Sequence, residues 1–294
     1  MDVESLRLFL RIADLGSVTA AARDLSLSPA AASARLGKFE QTLGFRLFNR
    51  TTRAISLTTD GAEFLPYAEQ AIETLASGVR AVRGEGAEAQ GLLRMTMPGS
   101  FGRLHVIPAL AEFQKRHPNV SLDIRLSDEV LDVVEGAYDL IIRNAPLQDS
   151  TLVARKLARD QRLLVASSDY VERYGAPSSL DELKQHRCVV LAGHAKWKFE
   201  SGAVVTPTRV LAVNDGEAMR SLTEQGLGIS VQSRWIARQH LDDGRFIALM
   251  TDRPLATESA IWALYPSHRI VAPKVRAMID FLQDQFQPVP PWER

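Results

Sequence analysis

Cysteine is almost missing from this sequence. Cys188 is the single one among 294 residues, which excludes a disulfide framework and a cysteine-based zinc site. It stands in the strand-like run Cys188-Val189-Val190-Leu191 and reads as a small core residue. Long apolar runs are missing too, since none approaches the roughly 18 residues that a membrane span needs. The start, Met1-Asp2-Val3-Glu4, opens on acids and has no basic n-region or small-residue cleavage site. The expectation is a cytoplasmic protein with no membrane partner. Catalytic signatures are also absent: there is no phosphate loop, dinucleotide fingerprint, His-Glu-x-x-His or Gly-x-Ser-x-Gly. His105, His117, His186, His194, His240 and His268 are scattered, and none pairs at metal-ligand spacing. No metal, cofactor or enzyme chemistry is therefore expected. Finally, net charge is missing, with 35 basic and 35 acidic residues. Taken whole, that balance argues against a nucleic-acid partner.

What is present changes this last inference. Apolar residues make up 46% of the chain, enough to bury a sizeable core and to exclude global disorder. The charges are not evenly spread. Residues 1–58 carry a net +3, and within them residues 28–53 carry +4. Residues 59–90 carry −4, and the remainder is near neutral at +1. A local basic stripe is the footprint of a nucleic-acid reader. By charge alone, a solvated charged face is the more ordinary account.

Periodicity then supplies the local structure. Val3, Leu6, Leu10 and Ala13 repeat at helical spacing, and Gly16 stops that helix. Ser17 is a helix N-cap for an alanine-rich second helix, Val18 to Leu25. Ser28 followed by Pro29 reads as an N-cap plus proline at the first helical position. The third helix runs to Leu43, and Gly44 ends it. Two short helices joined by a three-residue turn behind a supporting helix form a helix-turn-helix pattern. Arg50-Thr51-Thr52-Arg53 then leads into alternating Ile55 and Leu57. Two guanidiniums and two hydroxyls at a turn before a strand suit a wing that straddles phosphates.

From Thr58 or Thr59 a long helix carries Leu65, Ala68, Ile72, Leu75, Val79 and Val82 at spacings of 3, 4, 3, 4 and 3. This a/d stripe fits pairing with a second copy; the other reading is a helix lying on its own globular body. The division expected is a winged helix-turn-helix over 1–58, a dimerisation helix over 59–83, a glycine-rich hinge over 84–91 and a body over 92–294. The body alternates strand and helix signals. Strands are expected at Leu92–Met97, Val120–Leu126 and Asp139–Arg143, with helices at Gly102–His117 and Glu129–Glu135 between them. Further strands fall near 161–166, 187–191, 209–213, 228–232 and 262–265, with helices near 216–225 and at the C-terminus. This predicts two α/β lobes built on parallel strands, with a small ligand in the cleft between them. The fold class is thus multidomain, α+β and α/β.

Residues 6–61 resemble the DNA-binding head of LysR-type transcriptional regulators. The resemblance rests on Leu15-Gly16-Ser17-Val18-Thr19-Ala20-Ala21-Ala22, Leu27-Ser28-Pro29-Ala30-Ala31-Ala32-Ser33, Phe39 through Arg53, and Leu57-Thr58-Thr59-Asp60-Gly61. The body is similar to that family's effector domain, which looks like a periplasmic binding protein. Its cues are Pro98-Gly99-Ser100-Phe101-Gly102-Arg103, Glu135 through Arg143, and Gly226-Leu227-Gly228-Ile229. The resemblance implies double-stranded DNA with a pseudo-palindromic operator, a small-molecule effector, dimers or tetramers, and contact with RNA polymerase. The DNA-facing set is then Ser28, Pro29, Ala30, Ala31, Ser33, Arg35, Lys38, Arg50, Thr51, Thr52 and Arg53. The effector set is Ser100, Phe101, Arg143 and Trp197, for an anionic metabolite. For Arg143 a buried pair with Asp139 or a neighbour is the competing role. One departure stands out: the position after the recognition-helix serine, often Arg or Lys in the family, is Ala34 here.

Overall fold

The computed structural model describes residues 2–50, 55–82, 88–128, 138–147, 152–194, 196–266 and 271–294, with the backbone alone at 50, 77 and 80–82. The expected helix at Glu129–Glu135 lies outside the described residues, as do 84–87 of the glycine-rich hinge. The chain falls into two compact units, Met1–Glu88 and Ala89–Arg294.

The head begins with α1 (Val3–Leu15), α2 (Val18–Asp24) and α3 (Pro29–Leu43). Each helix starts where a short polar side chain accepts an orphan amide. Asp2 takes the Ser5 N–H, Ser17 takes that of Ala20 and Ser28 takes that of Ala31. Gly16 and Gly44 close α1 and α3 in the left-handed conformation. The alanines Ala21, Ala22 and Ala32 are fully buried, so α2 and α3 cross closely. Strands β1 (Phe48–Arg50) and β2 (Ile55–Leu57) form an antiparallel pair, and α4 (Thr59–Val82) follows.

The body's first lobe is a mixed sheet of order β4-β3-β5-β14-β6. Strands β3 (Gly91–Met97), β4 (Val120–Leu126) and β5 (Leu140–Ala145) run parallel to one another. β14, by contrast, pairs antiparallel with both β5 and β6. The sheet is therefore not purely parallel as expected. β6 (Leu152–Arg159) carries the chain out to the second lobe and β14 (Ala260–Pro266) brings it back, so the returning strand enters reversed. Between β3 and β4 the helix starts earlier than predicted, at α5 (Gly99–Phe101). It passes through a π turn (Gly102–Val106) and a 3-10 turn (Ile107–Ala109) into α6 (Leu110–Arg116). Pro108 has no N–H to give an α-helical ladder there.

The second lobe contains β7 (Arg162–Ser167), α7 (Ser168–Tyr174), α8 (Leu180–Leu183), β8 (Arg187–Leu191), β9 (Trp197–Lys198), β10 (Val204–Val205) and β11 (Thr208–Val213). It continues with α9 (Gly216–Glu224), β12 (Ser230–Ser233), α10 (Arg234–Asp242) and β13 (Phe246–Leu249). β7 is central, with β12 and β13 antiparallel on its two sides, whereas β8 and β11 pair in parallel. After β14, α11 (Pro273–Phe286) returns to the first lobe, where Val275, Met278, Ile279 and Leu282 join its core. Cys188 lies in the second lobe's core, fully buried, and burial pushes its thiol up to about 12. It is an inert packing residue.

Candidate nucleic-acid interface and effector cleft

Helix α3 buries Ala32, Leu36 and Phe39 and turns the opposite face outward. Ser28, Pro29, Ala30, Ala31, Ser33, Ala34 and Lys38 are exposed there. Arg35 is half-buried at the edge of this face. Hydrogen bonds from Ser5 lower the Asp2 pKa, and the charge of Arg35 adds to them, which places Arg35 toward the start of α1. With Ala34 beside it, the outward face of α3 is short and mostly uncharged, with Lys38 as its cation.

The wing is held by residues whose motif role proves to be structural. The Glu40 Oε1 accepts the backbone N–H of Leu47 at 2.9 Å and of Phe48 at 3.3 Å. Thr58 donates its hydroxyl to the Arg46 carbonyl at 2.6 Å and accepts the Gly61 N–H at 2.9 Å. Gly61 is required by close approach, because a Cβ there would stand 2.1 Å from the Leu47 carbonyl oxygen. Arg50 ends β1 opposite Ile55. Thr51, Thr52 and Arg53 lie outside the described residues.

The predicted dimerisation stripe on α4 needs correction. Leu65, Ala68 and Ile72 pack against the head's own core, together with Phe64. These positions are satisfied within one chain. Leu75 and Val79 are exposed, at 49% and 46%. The reading of a helix lying on its own globular body therefore holds for the first half of α4. Of Val82 only the backbone is described.

In the body a cavity of about 660 Å³ opens between the lobes. Ser100 enters it from the first turn of the α5–α6 helical segment and is 2% exposed. Arg143 enters from β5, half-buried, and its guanidinium donates to the Ile142 carbonyl at 3.1 Å. Burial lowers the Arg143 pKa, opposed by the charge of Asp128. The competing pair with Asp139 does not form. Asp139 instead meets Lys274 Nζ at 3.1 Å and accepts the Arg94 N–H at 3.0 Å.

Two predicted effector residues lie elsewhere. Phe101 is fully buried beneath the cleft, its ring 5.3 Å from Trp235 and 5.8 Å from both Phe286 and Trp292. Adjacent residues on a helix point about 100° apart, so Ser100 faces the cleft and Phe101 the core. Trp197 is 5% exposed in the second lobe's core and lines a neighbouring cavity of about 230 Å³.

The cleft also holds residues the sequence reading missed: Asp128, Asn144, Asp215, Ser233 and Trp235. Asn144 donates to the Ser233 hydroxyl at 3.3 Å, tying the end of β5 to the start of α10. Asp215 caps α9, accepting the Ala218 N–H at 2.7 Å. That cap was legible as an acid directly ahead of a predicted helix. Asp128 follows the carboxyl end of β4, the edge where α/β sheets place ligand-binding residues. Asp128 is exposed and lines the cavity with Gly99 and Asp215. Desolvation and then Asp215 raise its pKa. His194 is lowered by desolvation and by Arg162, so it is neutral near pH 7. Among the described residues no helix is long and apolar enough to cross a membrane.

Residues 3–62 match the bacterial regulatory helix-turn-helix protein, lysR family, and residues 86–287 match the LysR substrate binding domain. The chain is 34% identical to an HTH-type transcriptional regulator of Xanthomonas campestris pv. campestris (strain 8004), covering 96% of this chain and 84% of that protein. It is 29% identical to the HTH-type transcriptional regulator DmlR of Escherichia coli (strain K12), over 97% and 94% of the two chains. CrgA, a LysR-type transcriptional regulator from Neisseria meningitidis, superposes with a TM-score of 0.64 at 27% identity, covering 98% of this chain and 99% of that one. The Vibrio cholerae virulence activator AphB gives a TM-score of 0.58 at 27% identity, over 96% and 98%. A helix-turn-helix head, a two-lobed body and whole-length likeness to such proteins make this chain a member of the LysR family of transcriptional regulators, DNA-binding proteins rather than enzymes, with an effector-binding domain.

Proposed function

We propose that this regulator binds a small anionic metabolite between the lobes of its body and reads a pseudo-palindromic operator as a cytoplasmic dimer or tetramer. The observation that carries the effector half is that Ser100 and Arg143 line one cavity. A hydroxyl donor and a guanidinium together suit a carboxylate. The test is metabolite-dependent operator binding by the Ser100→Ala, Arg143→Ala double variant. Loss of the metabolite response with intact basal DNA binding is expected; an unchanged response places the site elsewhere.

For the DNA half, α3 lies in the major groove. Ala30 and Ala31 meet thymine methyls, while Ser33 and Arg35 reach base edges or phosphate. Lys38, Arg50, Thr51, Thr52 and Arg53 position the protein on phosphates. Lys38→Ala and Arg53→Ala should each weaken binding to all sequences about equally. Each should reduce the slope of log affinity against log salt by about one. A loss confined to one base position would reassign that residue to base readout.

The second half of α4, with Leu75, Val79 and Val82, pairs the two chains, and residues 84–91 serve as the hinge to the body at 92–294. Leu75→Asp with Val79→Asp should give monomers in sedimentation, and a persistent dimer would remove this role. RNA polymerase is the further partner, testable by whether effector-loaded protein alters its retention at the promoter.

A further inference from the structure

Charge alone does not select the ligand of the cleft. Arg103, Arg143 and Arg162 line it against Asp128 and Asp215. Arg103 reaches Glu217 of the second lobe at 3.1 Å, and Arg162 meets Asp160 at 2.6 Å. Apolar surface is less evenly shared out. The cavity of about 230 Å³ abuts the cleft, since Arg162, Leu191, His194 and Met219 line both. Its floor is made by Val189, Val190, Trp197, Met219, Val231 and Leu255, none of them exposed. Lys196, Lys198 and Glu258 are exposed at its rim. At the junction His194 is neutral near pH 7, because desolvation and then Arg162 lower its pKa. The cleft therefore has a side arm with an uncharged floor.

Protein interiors leave few voids larger than a water molecule. An apolar cavity of about 150 Å³ takes up one benzene ring, so this arm has room for a ring and its first substituent. Trp197 and Met219 offer an indole and a thioether, both of which favour an aromatic neighbour. Helix α9 sets the distance from the arm to the cleft. It starts beside Ser100, where a Cβ on Gly216 would come 3.4 Å from the Ser100 Oγ. Met219 follows three residues later, on the same face and about 4.5 Å further along the axis. A ring resting on Met219 is then about one helical turn from a carboxylate at Ser100, a gap of about two or three carbon–carbon bonds.

We propose that the effector is an arylalkanoic acid, its carboxylate at Ser100 and Arg143 and its ring in the arm against Trp197 and Met219. This rests on the reading of the cleft as the effector site. The arm also touches both connections between the lobes. Arg162 opens β7 just past the first connection, and Thr257 and Ser259 lie on the second, ahead of β14. A ring seated there bears on the hinge of the body, which is the physical step from ligand to altered DNA affinity.

The test is titration calorimetry on the full-length protein with acetate, propionate, benzoate, phenylacetate and phenylpropionate. Phenylacetate or phenylpropionate should bind at least about tenfold more tightly than the other three, the scale of burying one ring at the right reach. Val231→Phe fills the floor of the arm, and Ala256→Trp covers its mouth from an exposed position that tolerates a large side chain. Each should bring the arylalkanoic acid down to the level of propionate while melting temperature holds. Tight binding that ignores both substitutions overturns the inference, as does silence from every acid. If acetate and propionate bind as tightly as the aryl acids and the Ser100→Ala, Arg143→Ala variant loses them all, the anionic cleft stands and the arm falls. If the aryl acids depend on the arm but the Ser100→Ala, Arg143→Ala variant binds them unchanged, the cleft reading fails and the spanning ligand with it.

Discussion

All six histidines lie in the body and none in the head. The head is a small helical core closed by alanine crossings and by Phe9, Phe39, Phe48 and Phe64, whose rings lie 5.5 to 6.2 Å apart in contacting pairs. The body's first lobe is held by a larger aromatic group in which His105 takes part. The imidazole is 4.5 Å from the Trp292 ring, and its Nε2 is 3.0 Å from the Trp235 carbonyl oxygen. The head presents its functional side chains on one helix and one hairpin. The body assembles its site from the ends of β4 and β5, the start of the α5–α6 segment, and the starts of α9 and α10. The two units therefore respond to different perturbations, and stability can be read from each separately.

The largest contrast should come from Phe101→Ala. Emptying a fully buried phenylalanine site costs about 3–5 kcal/mol. Calorimetry should show the body's transition falling while the head's holds; a joint fall would mean that the units do not melt independently. Next is Gly61→Ala, where the added methyl meets a backbone carbonyl that cannot rotate away. A loss of about 1–3 kcal/mol is expected in the head alone, with DNA binding weakened and effector binding unchanged.

The smallest contrast is with pH. Burial lowers the pKa of His105 in the body, and burial followed by Arg220 and Arg245 lowers that of His240. His186 and His194 are lowered as well. A histidine whose folded pKa is depressed adds stability that is present above its unfolded value near 6.5 and is lost as pH falls through the folded value. Acidifying from pH 7.5 to 5.5 should therefore lower the body's transition. The head has no imidazole, and its perturbed carboxylates Asp2 and Asp24 are lowered, so they lose stability only below the ordinary carboxylate range. Its transition should stay in place over this window. An equal shift of both would assign the effect to something other than histidine.

The head was largely legible from its residues because its determinants are local. Ser17, Ser28 and Pro29 sit where caps and first turns require them, and Gly16 and Gly44 sit where left-handed closure does. Helical period likewise placed Ala32, Leu36 and Phe39 inside. On α4 the same rule misled, because a 3–4 stripe cannot say whether a partner chain or the chain's own core covers it. In the body, β6 was missed because Arg155, Lys156 and Arg159 interrupt its apolar residues. α10 was missed because it is short and rich in polar residues.

By itself, then, the sequence determined the helix-turn-helix, its caps, the order of most strands and the family, since each follows from neighbours within a few residues. Only the tertiary structure decided that Phe101 packs inward while Ser100 faces the cleft. It alone brought Asp128 and Asp215, far apart in the chain, to the lining of one cavity. It also covered half of the α4 stripe with the head's own core. Side-chain direction on a helix and contact between distant strand ends depend on how the elements pack, and no local pattern encodes that.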